Sequence, residues 1–194
     1  MNLTYKTYAW AGIAAIVLFF LKDYFILGLL FSLTLAFFAW AFVDIADKVK
    51  NTPLLIGSAA TFILYLLGLL LNIFSSFATL PLLVDQTEFQ EAVNAFVISQ
   101  DTSQLMIILA PFLILLVLFL VALGVIEILW GVGFLKLKNK FGGLATAAGV
   151  LEIITGASFI LGFLILPIFI GILTLLAAFI LRIIILFKAD KLIK

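Results

Sequence analysis

The chain contains no cysteine and no histidine. Disulfides, thiol chemistry, zinc sites, histidine-ligated haem and imidazole acid–base catalysis are thereby excluded together. The redox compartment is left open by the same absence. Charge is also scarce: charged residues make up 11% of the 194, and the net charge is only +1. No basic patch is interleaved with exposed aromatics, so nucleic acid is not an expected partner. No nucleophile is paired with a base, no glycine-rich phosphate loop follows a strand, and no acidic cluster has calcium-loop spacing. The polar face is too small to build a cofactor pocket. No catalytic residue, cofactor or metal is expected, and the chain is read as a non-enzyme.

What is abundant is hydrocarbon. Hydrophobic residues are 66% of the sequence and the mean hydropathy is +1.41, whereas a soluble domain is about half apolar and a quarter charged. Six apolar runs occupy about 5–21, 24–43, 53–76, 107–134, 141–162 and 167–187. Helices of roughly 17–25 apolar residues cross a hydrocarbon core of about 30 Å. The expected fold is all-α: one polytopic membrane bundle of about six transmembrane helices. Lys6 precedes the first run as in a signal peptide, but no small-x-small cleavage site follows, so this run is read as a retained helix. Lys22-Asp23 is a short connection, and residues 5–43 are either two spans or one long bent helix.

Charge placement argues for two. With six spans, one side collects Lys6, Lys48, Lys50, Lys136, Lys138, Lys140, Arg182, Lys188, Lys191 and Lys194, and the other keeps Lys22. Asp23, Asp85, Glu88, Glu91 and Asp101 fall on the Lys22 side. By the positive-inside rule, both termini are expected in the cytoplasm and the protein in the cell membrane. Local signals fit these boundaries. Thr52-Pro53 offers an N-cap and a first-turn proline, Asp101 to Gln104 has capping-box spacing, and Pro167 can open the last helix. Trp40 and Trp130 lie four to six residues before charged turns, where interfacial anchors are expected.

Two connections break the usual pattern. Residues 85–104 are polar, and Phe89, Val93 and Phe96 recur at helical spacing within them. An acidic amphipathic helix on the outer face is predicted, packed over helix ends or against a partner. The turn carrying Phe163, Leu164 and Ile165, by contrast, has no polar side chain. A tip of that kind is embedded or covered. These six residues form the expected partner surface.

A repeat lies in the fourth and fifth spans. Gly124-Val-Ile-Glu127-Ile-Leu-Trp-Gly131 recurs as Gly149-Val-Leu-Glu152-Ile-Ile-Thr-Gly156, at a shift of 25. The two spans are antiparallel, and counting from Lys138 puts the carboxyls within about 4–5 Å of the same depth. Gly124, Glu127 and Gly131 share one helix face, as do Gly149, Glu152 and Gly156. Glycines there let another backbone approach closely, so the glutamates are expected to face protein. Buried carboxyls are expected to carry protons, and two facing ones to share. Two roles follow: a hydrogen-bonding helix-pairing device, or a proton- or cation-handling site. Arg182 is the only strong cation within reach of a span; its place nearer the inner rim suggests snorkelling.

The layout resembles an uncharacterised family of small multi-pass membrane proteins common in archaea. Leu27 to Leu30 leading to Ala46-Asp-Lys-Val-Lys50 carries the likeness, with Phe134-Leu-Lys-Leu-Lys-Asn-Lys-Phe141 leading to Ala148-Gly149. The resemblance implies no known activity. The sequence thus points to a non-catalytic protein acting through association, as an accessory or assembly subunit of a larger membrane complex. Its expected partners are lipids and other membrane subunits or itself. The alternative is a small proton- or cation-coupled transporter or channel using Glu127 and Glu152.

Overall fold

The computed structural model describes residues 4–22, 25–77, 102–162 and 165–193. Among the described residues there are seven helices and no strand. These are α1 (Tyr5–Phe19), α2 (Phe25–Lys48), α3 (Thr52–Phe77), α4 (Thr102–Lys136), α5 (Lys138–Phe141), α6 (Gly143–Ile160) and α7 (Ile165–Leu192). The predicted amphipathic helix with Phe89, Val93 and Phe96, the Asp101 cap, and the side chains of Phe163, Leu164 and Ile165 lie outside the described residues.

Five of these helices, α2, α3, α4, α6 and α7, are long and apolar enough to cross a membrane. The sixth expected span is shorter than the apolar run suggested. α1 has 15 residues, a rise of about 22 Å, against a hydrocarbon core of about 30 Å. Its run is long enough only on paper, because Phe20, Leu21 and Lys22 turn out of the helix. α1 and α2 are nonetheless separate helices packed side by side, not one bent rod.

Each long helix packs on the next in sequence, and α1 packs on α7, so the six close into a ring. Chain ends and turns alternate accordingly. Lys6, Lys48, Lys50, Lys136, Lys138, Lys140, Lys188 and Lys191 sit at or beyond the same ends of their helices, while Lys22 follows α1 at the opposite end. The lysine-rich end is tied by polar bonds. Tyr5 Oη donates to Asp44 Oδ2 at 2.5 Å, Lys48 Nζ lies 3.0 Å from both, and the Tyr5 backbone N–H donates to Asp190 at 2.8 Å. α1 is thereby pinned to α2 and α7 at once.

The start of α3 is fixed by Asn51 rather than Thr52. Asn51 Oδ1 accepts from Leu54 N–H at 3.4 Å, and its amide donates to the Gly133 carbonyl of α4 at 2.7 Å. One side chain thus caps a helix and ties it to its neighbour, which leaves Thr52 as the first helical residue. Pro167 lies in the first turn of α7, where a missing N–H removes no helical bond.

The hydrophobic core occupies the lysine-rich half of the ring. Phe42, Ile45, Leu54, Trp130, Phe134, Ile185 and Leu186 are fully buried there, with Ala9, Ala41, Ala46, Ala145, Ala148 and Ala189 between them. Phe42, Trp130 and Phe134 form a ring cluster with centroids 4.9–5.6 Å apart. Small residues on α1, α2, α6 and α7 bring backbones close around these aromatics.

A candidate ion cluster at mid-bundle

The α4–α6 pair sits on a register set by glycines. A methyl built on Gly124 would lie 2.6 Å from the Gly156 carbonyl oxygen, and one on Gly131 would lie 2.7 Å from that of Gly149. Carbon cannot approach oxygen so closely, so no side chain fits at these positions. The surrounding contacts repeat as well. A methyl on Gly131 would meet Ile153 Cγ1 at 2.6 Å, and one on Gly156 would meet Ile128 Cγ1 at 2.7 Å. Gly124 faces Ile160 in the way that Gly149 faces Leu135. Each pair of equivalent contacts is related by the sequence shift of 25, so antiparallel packing gives the two helices a local two-fold relation. Its midpoint falls between Glu127 and Glu152.

Both glutamates are buried at that midpoint, with Glu127 8% and Glu152 0% exposed. Arg182 of α7 reaches them. Its Nε donates to Glu152 Oε1 and its Nη2 to Glu127 Oε2, each at 2.5 Å. Arg182 itself is 2% exposed, so the expectation that it snorkels to the rim is wrong. The guanidinium finds two carboxyls sideways at its own depth, which removes any gain from stretching toward water. Its planar fork suits this task, since separate N–H groups can address separate carboxyls.

Trp130 closes one face of the cluster. Arg182 Cζ stands 4.0 Å from the Trp130 ring centroid, and Trp130 Nε1 donates to Thr61 Oγ1 of α3 at 2.9 Å. Trp130 is fully buried, which overturns its reading as an interfacial anchor. Distance along the chain from a charged turn sets its depth; the helix face decides whether it meets headgroups or core. Trp40, at 45% exposure, does face outward and packs on Phe62.

The cluster occupies one layer. Glu127 lies nine residues from the end of α4, Glu152 nine from the start of α6, and Arg182 ten from the end of α7. All three therefore sit about 14–15 Å along their helices from the lysine-rich end. Thr61, nine residues into α3, joins the same layer through Trp130. Nearby, Thr155 of α6 bonds Thr174 of α7 at 2.8 Å, adding a neutral tie between these two helices.

The repeat residues Gly124, Glu127, Gly131, Gly149, Glu152 and Gly156 are thus brought together, and sequence reasoning missed Arg182, Trp130 and Thr61 as their partners. One signal for Arg182 was available: it is the only arginine in a chain otherwise supplied with lysine, and it interrupts an apolar run. Among the described residues, no group of three acids, cysteines or histidines is placed to hold a metal. An apolar cavity of about 310 Å³ lies between α2 and α3, lined by Leu33, Ala36, Phe37, Trp40, Phe62 and Leu66, and no cluster residue lines it. No family model, curated protein or solved structure matches the chain.

Proposed function

We propose that this protein is a non-catalytic membrane subunit that works by association within a larger membrane complex. The observation that supports this reading most is the first half of α4. From Pro111 to Phe119 every residue is exposed, with Ile114, Leu115 and Leu118 each at 60%. Nine consecutive residues make two and a half turns, so no face of the helix is covered by the rest of the described chain. Lipid can surround such a segment, but Pro111 adds a second demand. It cannot donate to the Ile107 carbonyl, and carbonyls freed in membrane helices are commonly re-satisfied by neighbouring groups. A helix from another subunit or a second copy would supply both cover and donors.

The transport alternative has less support. Its two glutamates are engaged by Arg182, which itself stacks on Trp130, and are flanked by backbone contacts. Our reading places the lysine-rich end at the cytoplasmic face of the cell membrane, in keeping with the positive-inside rule. The resemblance to the small archaeal membrane family fits the same reading and assigns no activity.

Native mass spectrometry of the chain released gently from its own membranes tests the proposal. The expected spectrum carries additional chains in fixed stoichiometry. A photoreactive residue at Leu115 or Leu118 should crosslink to the same partner, while one at exposed Leu173 on α7 should not. A monomer that retains only lipid would refute the reading.

A further inference from the structure

The mid-bundle cluster does not balance its charge. One guanidinium faces two carboxyls, and with all three ionised the unit carries a net negative charge inside a low-dielectric layer. The imbalance has a location. Glu152 Oε1 is bonded to Arg182, but Glu152 Oε2 is buried and has no hydrogen-bond partner among the described residues. An unpaired buried acceptor of this kind is costly, and more so on an ionised group. The Glu127 and Glu152 carboxyls are both bonded to the same guanidinium, which holds them side by side.

The elements packed around the cluster offer no second cation among the described residues. α4 contributes Glu127, α6 Glu152 and α7 Arg182, while α3 brings the phenol of Tyr65 into electrostatic range. α2 presents the apolar Phe38 and Phe42 to this part of the core. The next charged groups of α1, α2 and α7 are those gathered at the lysine-rich end, Lys6, Asp44, Lys48, the exposed Lys188 and Asp190. No lysine is positioned to serve as the missing partner.

We propose that the cluster is a binding site for one proton, held between Glu152 Oε2 and the Glu127 carboxyl. A single proton taken from water turns two carboxylates and one guanidinium into a neutral unit and gives Oε2 the bond it lacks. The local two-fold makes the shared position natural, because the two carboxyls approach its midpoint from equivalent seats and are held by one guanidinium. This proton is structural: the same groups that hold it also block its onward path. The inference is independent of the association reading, since a protein without partners would still have to neutralise this layer.

Infrared spectroscopy of the full chain in lipid nanodiscs, with carbon-13 in its glutamate carboxyls, tests the site in the unaltered protein. At neutral pH the expected spectrum contains a protonated-carboxyl band that carries the carbon-13 shift and moves in heavy water. Glu127→Gln and Glu152→Gln should each abolish it, because one carboxylate and one guanidinium balance without a proton. Wild-type spectra that lack a labelled protonated-carboxyl band at neutral pH overturn the proposal, even if neither variant folds. A band that survives unchanged in folded Glu152→Gln overturns it equally.

Discussion

The two halves of the bundle are built differently from similar residues. Toward the lysine-rich end, Phe42, Ile45, Leu54, Phe134, Ile185 and Leu186 are fully buried and backbones touch through glycine and alanine. Toward the other end the same residue types are left open: Phe20 is 78% exposed, Ile26 69%, Leu71 62%, Phe169 62% and Leu173 68%. Hydrophobicity cannot explain the difference, since both halves are apolar and lipid tails are as apolar as leucine. What differs is shape and polar anchoring. Gly12, Gly57, Gly124, Gly131, Gly133, Gly149 and Gly156 admit close neighbours in or next to the packed half; in the open half Gly171 still packs on Phe159 and Ser158, while Gly68 of α3 meets nothing within 4 Å. The Arg182 layer marks the transition between the two.

Breaking the glycine register should have the largest effect. Gly131→Leu drives a side chain into the Gly149 carbonyl, and the α4–α6 pair is expected not to close, leaving little folded protein after solubilisation. Arg182→Leu should come next. It strands two buried carboxyls, and removal of one partner from a buried ion pair costs about 3–5 kcal/mol. Equilibrium unfolding in bicelles would measure that loss, and adding Glu127→Gln and Glu152→Gln to it should restore most of the stability. Asn51→Ala removes a buried bond to Gly133 together with the α3 cap, for an expected loss of about 1–2 kcal/mol in the same assay. In the open half the sign should reverse. Gly68→Ala has free space and should be neutral or stabilising by about 0.5–1 kcal/mol, because alanine is the better helix residue. A large loss from Gly68→Ala would erase the contrast between the halves.

Much of this architecture was legible in the sequence because membrane helices obey simple rules of length and charge. The apolar runs located the helices, and the lysines located the common end. The similar depth of Glu127 and Glu152 was also readable, since a repeat on adjacent antiparallel helices fixes depth; whether they meet was not. The position of Arg182 was not. Its partners lie 30 and 55 residues away, and nothing local states that α7 presents this side chain to α4 and α6. Trp130 was misplaced for a related reason: its depth was readable, but its direction depended on which helices surround α4. The length of α1 failed differently. Composition counts apolar residues, yet Phe20 and Leu21 spend their apolar surface in a turn rather than in helical rise.

The glycine register has a mechanical consequence. Two close contacts flank the glutamates, Gly124 on Gly156 and Gly131 on Gly149, so the tightest part of the α4–α6 crossing is level with the carboxyls. When two rods change their crossing angle they pivot about that part, and points near the pivot travel least. The exposed first half of α4 can therefore tilt relative to α6 while the carboxyl seats of Arg182 move only slightly. The ion cluster works as a rivet through a pair of shears, fixing where the helices cross without fixing the tilt of the exposed start of α4.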